Sequence, residues 1–261
     1  MIHWQMNPTV LELGPVQIRW YGLLFLSGFY LGYFFLKWVA KKEGKNPEAI
    51  ESLLIYSIVG TTIGARLAHC LFYEWDYYSQ NLFEILQIWK GGLASHGGAA
   101  GLIIGVILFS RKFKEFPALW MLDRVGVATS LSAALIRLGN LMNSEIIGKP
   151  TDGTWGFIFE RVDMIPRHPA QIYEAVFYLF VWITGLLWYR KFRFHPPNGL
   201  LFGWTIGVIF TFRIFIELLK ENQEAFESDM ILNMGQILSI PFGAFGLYLV
   251  ARALLSARAR T

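Results

Sequence analysis

The run WYGLLFLSGFYLGYFFL, residues Trp20–Leu36, contains no Asp, Glu, Lys or Arg, and Lys41, Lys42 and Lys45 follow it. Crossing a bilayer takes about 20 apolar residues, fewer where long basic side chains at the ends snorkel to the surface. Outward from this run, Gly91–Ser110, Pro196–Phe212 and Met230–Ala251 are equally free of those four residue types. Of the 261 residues, 54% are hydrophobic and 16% charged, whereas a soluble domain carries about 25% charged residues. Trp and Tyr gather near the ends of the runs, as they do at membrane interfaces. The fold class expected is therefore an all-α integral membrane protein with about seven transmembrane helices. Their approximate ranges are Ile18–Ala40, Ile50–Tyr73, Leu93–Ser110, Pro117–Leu138, Ala170–Tyr189, Gly199–Leu219 and Met230–Leu255.

Pro and Gly bound the runs, and the sequence has no internal repeat or low-complexity segment. One polytopic domain over residues 1–261 is expected, with residues 139–169 as the longest loop between spans. No basic segment of the signal-peptide kind precedes the first run, so that run is expected to stay as a helix. The net charge of +4 is spread between the runs, which excludes a nucleic-acid partner. The one cysteine, Cys70, allows no intramolecular disulfide and reads as a small apolar helix residue.

Loop charge sets the expected orientation. Lys41, Lys42 and Lys45 follow the first span, Arg111, Lys112 and Lys114 the third, and Arg190, Lys191 and Arg193 the fifth. Arg252, Arg258 and Arg260 close the chain. The alternate loops are poorer, with Lys90 after the second span and Lys220 amid Glu221, Glu224 and Glu227 after the sixth. The positive-inside rule puts the basic loops in the cytoplasm. The N-terminus is then outside, the C-terminus inside, and residues 139–169 form a small outer head between the fourth and fifth spans.

Ionisable residues inside spans are costly and usually functional. Asp123 and Arg124 fall near the cytoplasmic end of the fourth span and read as structural. Arg66, His96, Arg137, Glu174, Arg213 and Glu217 come from five spans, and all fall at the outer end of theirs. Independent ion pairs need not share a depth. Three arginines against two glutamates suggest an anionic ligand, and the planar guanidinium fork suits phosphate. A carboxylate or simple anion is the other ligand class.

Three motifs sharpen this reading. GGLASHGG, Gly91–Gly98, surrounds His96 with residues that lack bulk, which permits close backbone approach to a ligand. The same pattern also serves a glycine-mediated contact between helices. RLGNLMNSEIIG, Arg137–Gly148, combines amides, an acid and glycines at a helix end. RHPAQIYE, Arg167–Glu174, opens the fifth span with Gln171 and Glu174 on one face. No Cys/His cluster or His-Glu-x-x-His pattern occurs, so neither a metal nor another cofactor is expected.

At these residues the chain resembles the prolipoprotein diacylglyceryl transferase family. Arg137–Gly148 is similar to the family signature Gly-Arg-x-Gly-Asn-x-x-Asn-x-Glu-x-x-Gly, with Ile136 in place of the leading glycine. Ser95–Gly98 resembles its His-Gly-Gly segment, and Arg167–Glu174 its Arg-His-Pro-Ser-Gln-x-Tyr-Glu segment, with Ala170 for serine. Arg19–Gly22 and Met234–Pro241 resemble the starts of its first and last helices. The helix-6 pattern keeps Arg213 and Glu217, has Lys220 where the family often has a second arginine, and lacks the Pro-Asp that follows.

The resemblance implies transfer of a diacylglyceryl group from phosphatidylglycerol to the lipobox cysteine thiol of a prolipoprotein, beside its signal helix. It implies His96, Arg137 and Arg213 as catalytic residues. Tyr21, Asn140, Asn143, Glu145 and Gly148 would position the headgroup. Arg66, Gly97, Gly98, His168, Gln171, Tyr173, Glu174, Glu217 and Lys220 complete the expected substrate-binding set. Partners would be the two lipidic substrates and surrounding membrane lipids, at the outer leaflet of the bacterial inner membrane. An anion transporter would instead favour polar residues through the full depth, or inverted repeats. A non-catalytic lipid-binding protein would leave the open histidine without a role.

Overall fold

In a computed structural model, residues 1–14, 16–88, 91–92, 94–221 and 230–258 are described. Lys90, Leu93, Glu224, Glu227 and Arg260, used in the reading above, lie outside the described residues. The chain forms two compact units, Met1–Phe35 with Asp123–Thr261 and Leu36–Leu122.

The structure is dominated by helices: α1 (Trp20–Lys42), α2 (Ala49–Phe72), the single turn α3 (Trp75–Tyr78), α4 (Ser95–Lys112), α5 (Ala118–Asn143), α6 (Ala170–Lys191), α7 (Leu200–Ile216) and α8 (Met234–Arg258). A 3-10 turn, Glu217–Leu219, extends α7. Six of these segments are long and apolar enough to cross a membrane: α1, α2, α5, α6, α7 with its extension, and α8. The protein is an all-α integral membrane protein in its spans. The expected third span exists as α4, 18 residues long. Its apolar stretch is short because it starts at Ser95-His96 and ends at Arg111-Lys112, so it falls outside the six.

In the Leu36–Leu122 unit, α2 and α4 lie against each other along their length. A Cβ on Gly64 would run into the backbone of Gly97 and Gly101, and one on Gly97 into Ala68 and the Gly64 carbonyl. Without a hydrophobic driving force between helices in lipid, small residues that let backbones approach are what hold such pairs. Gly97, expected to serve a substrate, is therefore occupied by helix packing, and Gly98 faces Thr61 and Ala65 on the same helix.

In the other unit, α7 packs on α8 through Gly203, Gly207 and Gly246 by the same device. Its first turn is capped from α5: the Gly199 and Phe202 amides each donate to the Asp123 carboxylate at 2.8 Å. Arg124 lies 3.6 Å from that carboxylate and 5.7 Å from the Tyr189 ring centre. The two sequence neighbours thus have the structural role expected, around a helix N-terminus whose orphan amides need an acceptor.

Two small sheets accompany the helices. β1 (Ile2–Trp4), β4 (Phe157–Phe159) and β5 (Pro166–Arg167) form one, in the order β1-β4-β5, with β1 parallel and β5 antiparallel to β4. β2 (Thr9–Leu13) and β3 (Val16–Arg19) form a hairpin that leads into α1. The expected head therefore includes the first residues of the chain. Its core is Leu141, Phe157 and Phe159 with Trp4, Ile147 and Ile172, and the Trp4 indole donates to the Leu141 carbonyl at 3.0 Å.

Candidate active site

α5 does not stop at Leu138 but runs on to Asn143. That extra turn puts Arg137 and Asn140 on one face, three residues apart. Arg137 Nη1 donates to Asn140 Oδ1 at 3.1 Å. Asn140 and Asn143 then donate to the two oxygens of Glu145, at 3.2 and 3.1 Å. Past the helix the chain turns through Ser144 and Ile146, both at positive φ (55° and 56°), which brings Glu145 back over the last turn. Gln171 fixes the turn by donating to the Glu145 carbonyl at 2.6 Å. A Cβ on Gly139 would press on Tyr21, so the glycine admits the tyrosine of α1 to this end of α5.

α6 supplies the counter-charge. Gln171, Glu174 and Tyr178 are three and four residues apart and share a face. Glu174 is fully buried, with one oxygen 3.1 Å from Arg137 Nε. The Tyr178 hydroxyl donates to its other oxygen at 3.1 Å. Phe177 of α6 stacks on Phe212 of α7 with centroids 3.8 Å apart, which brings the neighbouring Arg213 to the same end. Arg213 Nε lies 3.4 Å from Glu217 Oε1, and Lys220 Nζ 2.8 Å from that same oxygen. Asn233, before α8, donates to Glu217 Oε2 at 3.2 Å.

Lys220 is fully buried. Burial pushes its ammonium below the ordinary lysine value, while Glu174 and Glu217 act the other way. Its place is set by an isolated backbone bridge to Gly148. A Cβ at Gly148 would strike His168 and the Leu219 carbonyl, so glycine is needed for this close approach. Arg167 ties the same strap to the head: it grips Asp163 through Nε and Nη2, at 2.6 Å for the shortest contact, and reaches Glu221 at 2.6 Å. That grip holds the Asp163 carboxyl below its usual range. His168 and Tyr173 are 3.2 Å apart, with Trp155 against both rings.

The charge count differs from the sequence expectation. Arg137, Arg213 and Lys220 meet Glu145, Glu174 and Glu217, so the cluster is balanced and has no arginine surplus. The arrangement is nevertheless polarised. The side chains of Arg137 and Arg213 keep 13% and 14% exposure, while Glu174 and Glu217 are at 0% and 4%. The acids are thus the more deeply buried member of each pair. With five N–H donors, each arginine has more to offer than its carboxylate takes.

Arg66, His96, Gly97 and Gly98 belong to the Leu36–Leu122 unit. Arg66 is 2% exposed. Its guanidinium donates to the carbonyls of Ile85 (3.0 Å), Glu84 and Gly91 (both 2.6 Å) and Gly92 (3.4 Å), and sits 5.0 Å from the Tyr78 ring centre. It anchors a loop instead of presenting a fork to a ligand. His96, half-buried, is the second residue of α4. It follows Gly91 and Gly92, whose positive φ values of 84° and 66° turn the chain into the helix. Among residues the motifs did not single out, Tyr178 and Asn233 complete the network. Tyr178 was legible as four residues beyond Glu174, and Asn233 as a cap three residues before Gln236, with which it exchanges two backbone-to-side-chain bonds.

These features define a multi-pass membrane protein with a polarised ion-pair network where several helix ends meet. The profile for "Prolipoprotein diacylglyceryl transferase" matches residues 8–252. The phosphatidylglycerol–prolipoprotein diacylglyceryl transferase of Tolumonas auensis is 44% identical, over 99% of this chain and 98% of its own. That of Bacteroides fragilis is 46% identical over 95% and 93%, and that of Chloroherpeton thalassium 44% over 98% and 96%. The chain belongs to the prolipoprotein diacylglyceryl transferase family, as the five motifs suggested.

Proposed function

We propose that the protein moves the diacylglyceryl group of phosphatidylglycerol to the lipobox cysteine of a prolipoprotein. The relatives' names support the two substrates, and the residual exposure of Arg137 and Arg213 beside buried Glu174 and Glu217 supports a phosphate-bearing one. The cysteine sulfur attacks carbon 3 of the lipid glycerol. A carbon–sulfur bond forms, the carbon–oxygen bond to phosphorus breaks, and glycerol-1-phosphate leaves with the electron pair. Negative charge grows on the departing phosphate, and fixed donors aimed at it stabilise the transition state more than the ground state. That is the role given to Arg137 and Arg213. Asn140, Asn143 and Glu145 hold the end of α5 in shape for it, and Tyr21, Gly148, His168, Gln171, Tyr173 and Lys220 frame the headgroup. The thiol, with a free pKa of about 8.5, must lose its proton. His96 is given that task because a neutral imidazole can accept a proton.

The direct test uses purified protein in detergent with phosphatidylglycerol and a lipobox peptide, with and without EDTA, and product masses as readout. A thioether-linked diacylglyceryl peptide is expected in both buffers. Its absence, where a relative makes it, would sink the function, and loss on chelation restored by a divalent ion would sink the metal-free chemistry.

The site is taken to face the outer leaflet of the bacterial inner membrane. The basic loops support this, with α4 counted as the seventh span so that the termini lie on opposite sides. Single cysteines at Asn46 and Pro197, in a Cys70→Ala background, are expected to escape an impermeant thiol reagent in intact cells, and one at Gly153 to react. Labelling at Asn46 with none at Gly153 reverses the orientation.

A further inference from the structure

We propose that Tyr178 is a positioning residue for the transfer: its hydroxyl aims Arg137 by holding Glu174 in one rotamer. This rests on the role given to Arg137 above. Tyr178 is 4% exposed, one turn along α6 from Glu174, in a helix segment otherwise lined by apolar residues. Its hydroxyl donates to Glu174 Oε1 at 3.1 Å, and Arg137 pairs with Oε2 at 3.1 Å. Hydroxyl, carboxylate and guanidinium thus form a chain with Glu174 in its middle.

The physical argument concerns what else could hold Glu174. The carboxylate is wholly buried, and a buried charge needs partners: Arg137 at Oε2 and the Tyr178 hydroxyl at Oε1. Its χ3 is a broad, soft torsion. Two partners on its two oxygens fix the plane; one partner leaves it free to turn about that bond. Removing the hydroxyl therefore loosens the carboxylate and, through it, the guanidinium. Arg137 gains an extra way to fold back onto Glu174, with fewer donors outward. The loss falls on charge that develops late in the reaction, so it shows in kcat and not in KM.

The sequence gives an independent reason to look here. Tyr178 lies beyond the Arg167–Glu174 motif, in a stretch where a membrane helix needs no polar group. A hydroxyl buried at that position must have a partner, and its partner is the most deeply buried acid of the network.

The test compares full-length wild-type, Tyr178→Phe, Glu174→Gln and the double variant in detergent. It measures kcat and KM for phosphatidylglycerol, with thermal unfolding as a fold control. Tyr178→Phe is expected to lower kcat about tenfold with KM within about twofold. In the Glu174→Gln background it is expected to add less than about twofold, because groups acting as one unit are not additive. Losses that multiply in the double variant, or a Tyr178→Phe rate within twofold of wild type while Arg137→Ala is inactive, overturn the Tyr178 role alone. A near wild-type rate for folded Arg137→Ala overturns the reading beneath it as well. Should Tyr178→Phe not fold, Tyr178→Gln and Tyr178→Leu are compared. Glutamine, which can still donate and accept, is expected to be at least about fivefold faster, and equal rates refute the proposal.

Discussion

Arg137→Ala is expected to lower the rate of transfer by about 10²–10³, the range seen when one fixed donor to a developing anion is removed. The structure says why the effect should be large. Arg137 is held from two sides, by Asn140 within its own helix and by Glu174 from α6, so its outward donors are oriented before substrate arrives. Fixed orientation is what makes a donor worth more in the transition state than in water. Arg137→Lys keeps the charge but loses the planar fork. It cannot serve Asn140, Glu174 and a phosphate together, and is expected to be nearly as poor. Arg213→Ala is expected to be severe too. Stability must be separated from catalysis, because stripping the arginine leaves Glu174 as an uncompensated buried charge, which costs about 3–5 kcal/mol. The double variant Arg137→Ala/Glu174→Gln removes both charges. It is expected to recover most of the lost stability, read by thermal unfolding in detergent, and none of the lost rate. A folded Arg137→Ala enzyme near wild-type rate excludes phosphate stabilisation by this residue.

The parts of the structure legible in the sequence are those with a long-range signal. Charge-free runs mark the spans because every residue in them meets the same solvent. Where polar residues enter a run, the reading fails in a predictable direction. α5 was expected to end at Leu138 because Gly139, Asn140 and Asn143 look like a loop, yet it continues to Asn143. Glu145 accepts from both amides there, which offsets part of the cost of polar groups at the helix end. The strands were missed because the longest is five residues and the others two to four, too short for alternation to show. For β1 the partner is also distant in sequence, since Ile2–Trp4 pairs with Phe157–Phe159. The place of Arg66 in its helix was legible, but its backbone partners were not. Its acceptors are backbone carbonyls between Glu84 and Gly92, and a carbonyl leaves no mark in residue identity. The ion pairs of Arg137 and Arg213 were half legible. Arg213 and Glu217 announce themselves by spacing, whereas the pairing of Arg137 with Glu174 depends on how α5 and α6 meet.

His96→Gln separates a proton acceptor from a residue that merely holds a hydrogen bond. In its own unit, His96 is placed firmly: the Ala94 amide just before α4 donates to the Ala65 carbonyl of α2 at 3.0 Å, and Gly97 packs on Gly64. These contacts fix the start of the helix that carries the ring, which suits a group that must meet an arriving thiol. If it accepts the thiol proton, only neutral imidazole is competent. The single-turnover rate should then fall as pH drops through the histidine's pKa, giving an acidic limb. His96→Gln keeps a polar side chain of similar reach but cannot take a proton. It is expected to lower the maximal rate by about 10²–10⁴ and to abolish that limb. If instead nearby positive charge lowers the thiol's own pKa enough to need no base, the limb belongs to the thiol and persists in the variant. A His96→Gln enzyme that keeps the limb and loses less than about tenfold, or about 1.4 kcal/mol, makes His96 a positioning residue and leaves deprotonation to the charge around the thiol.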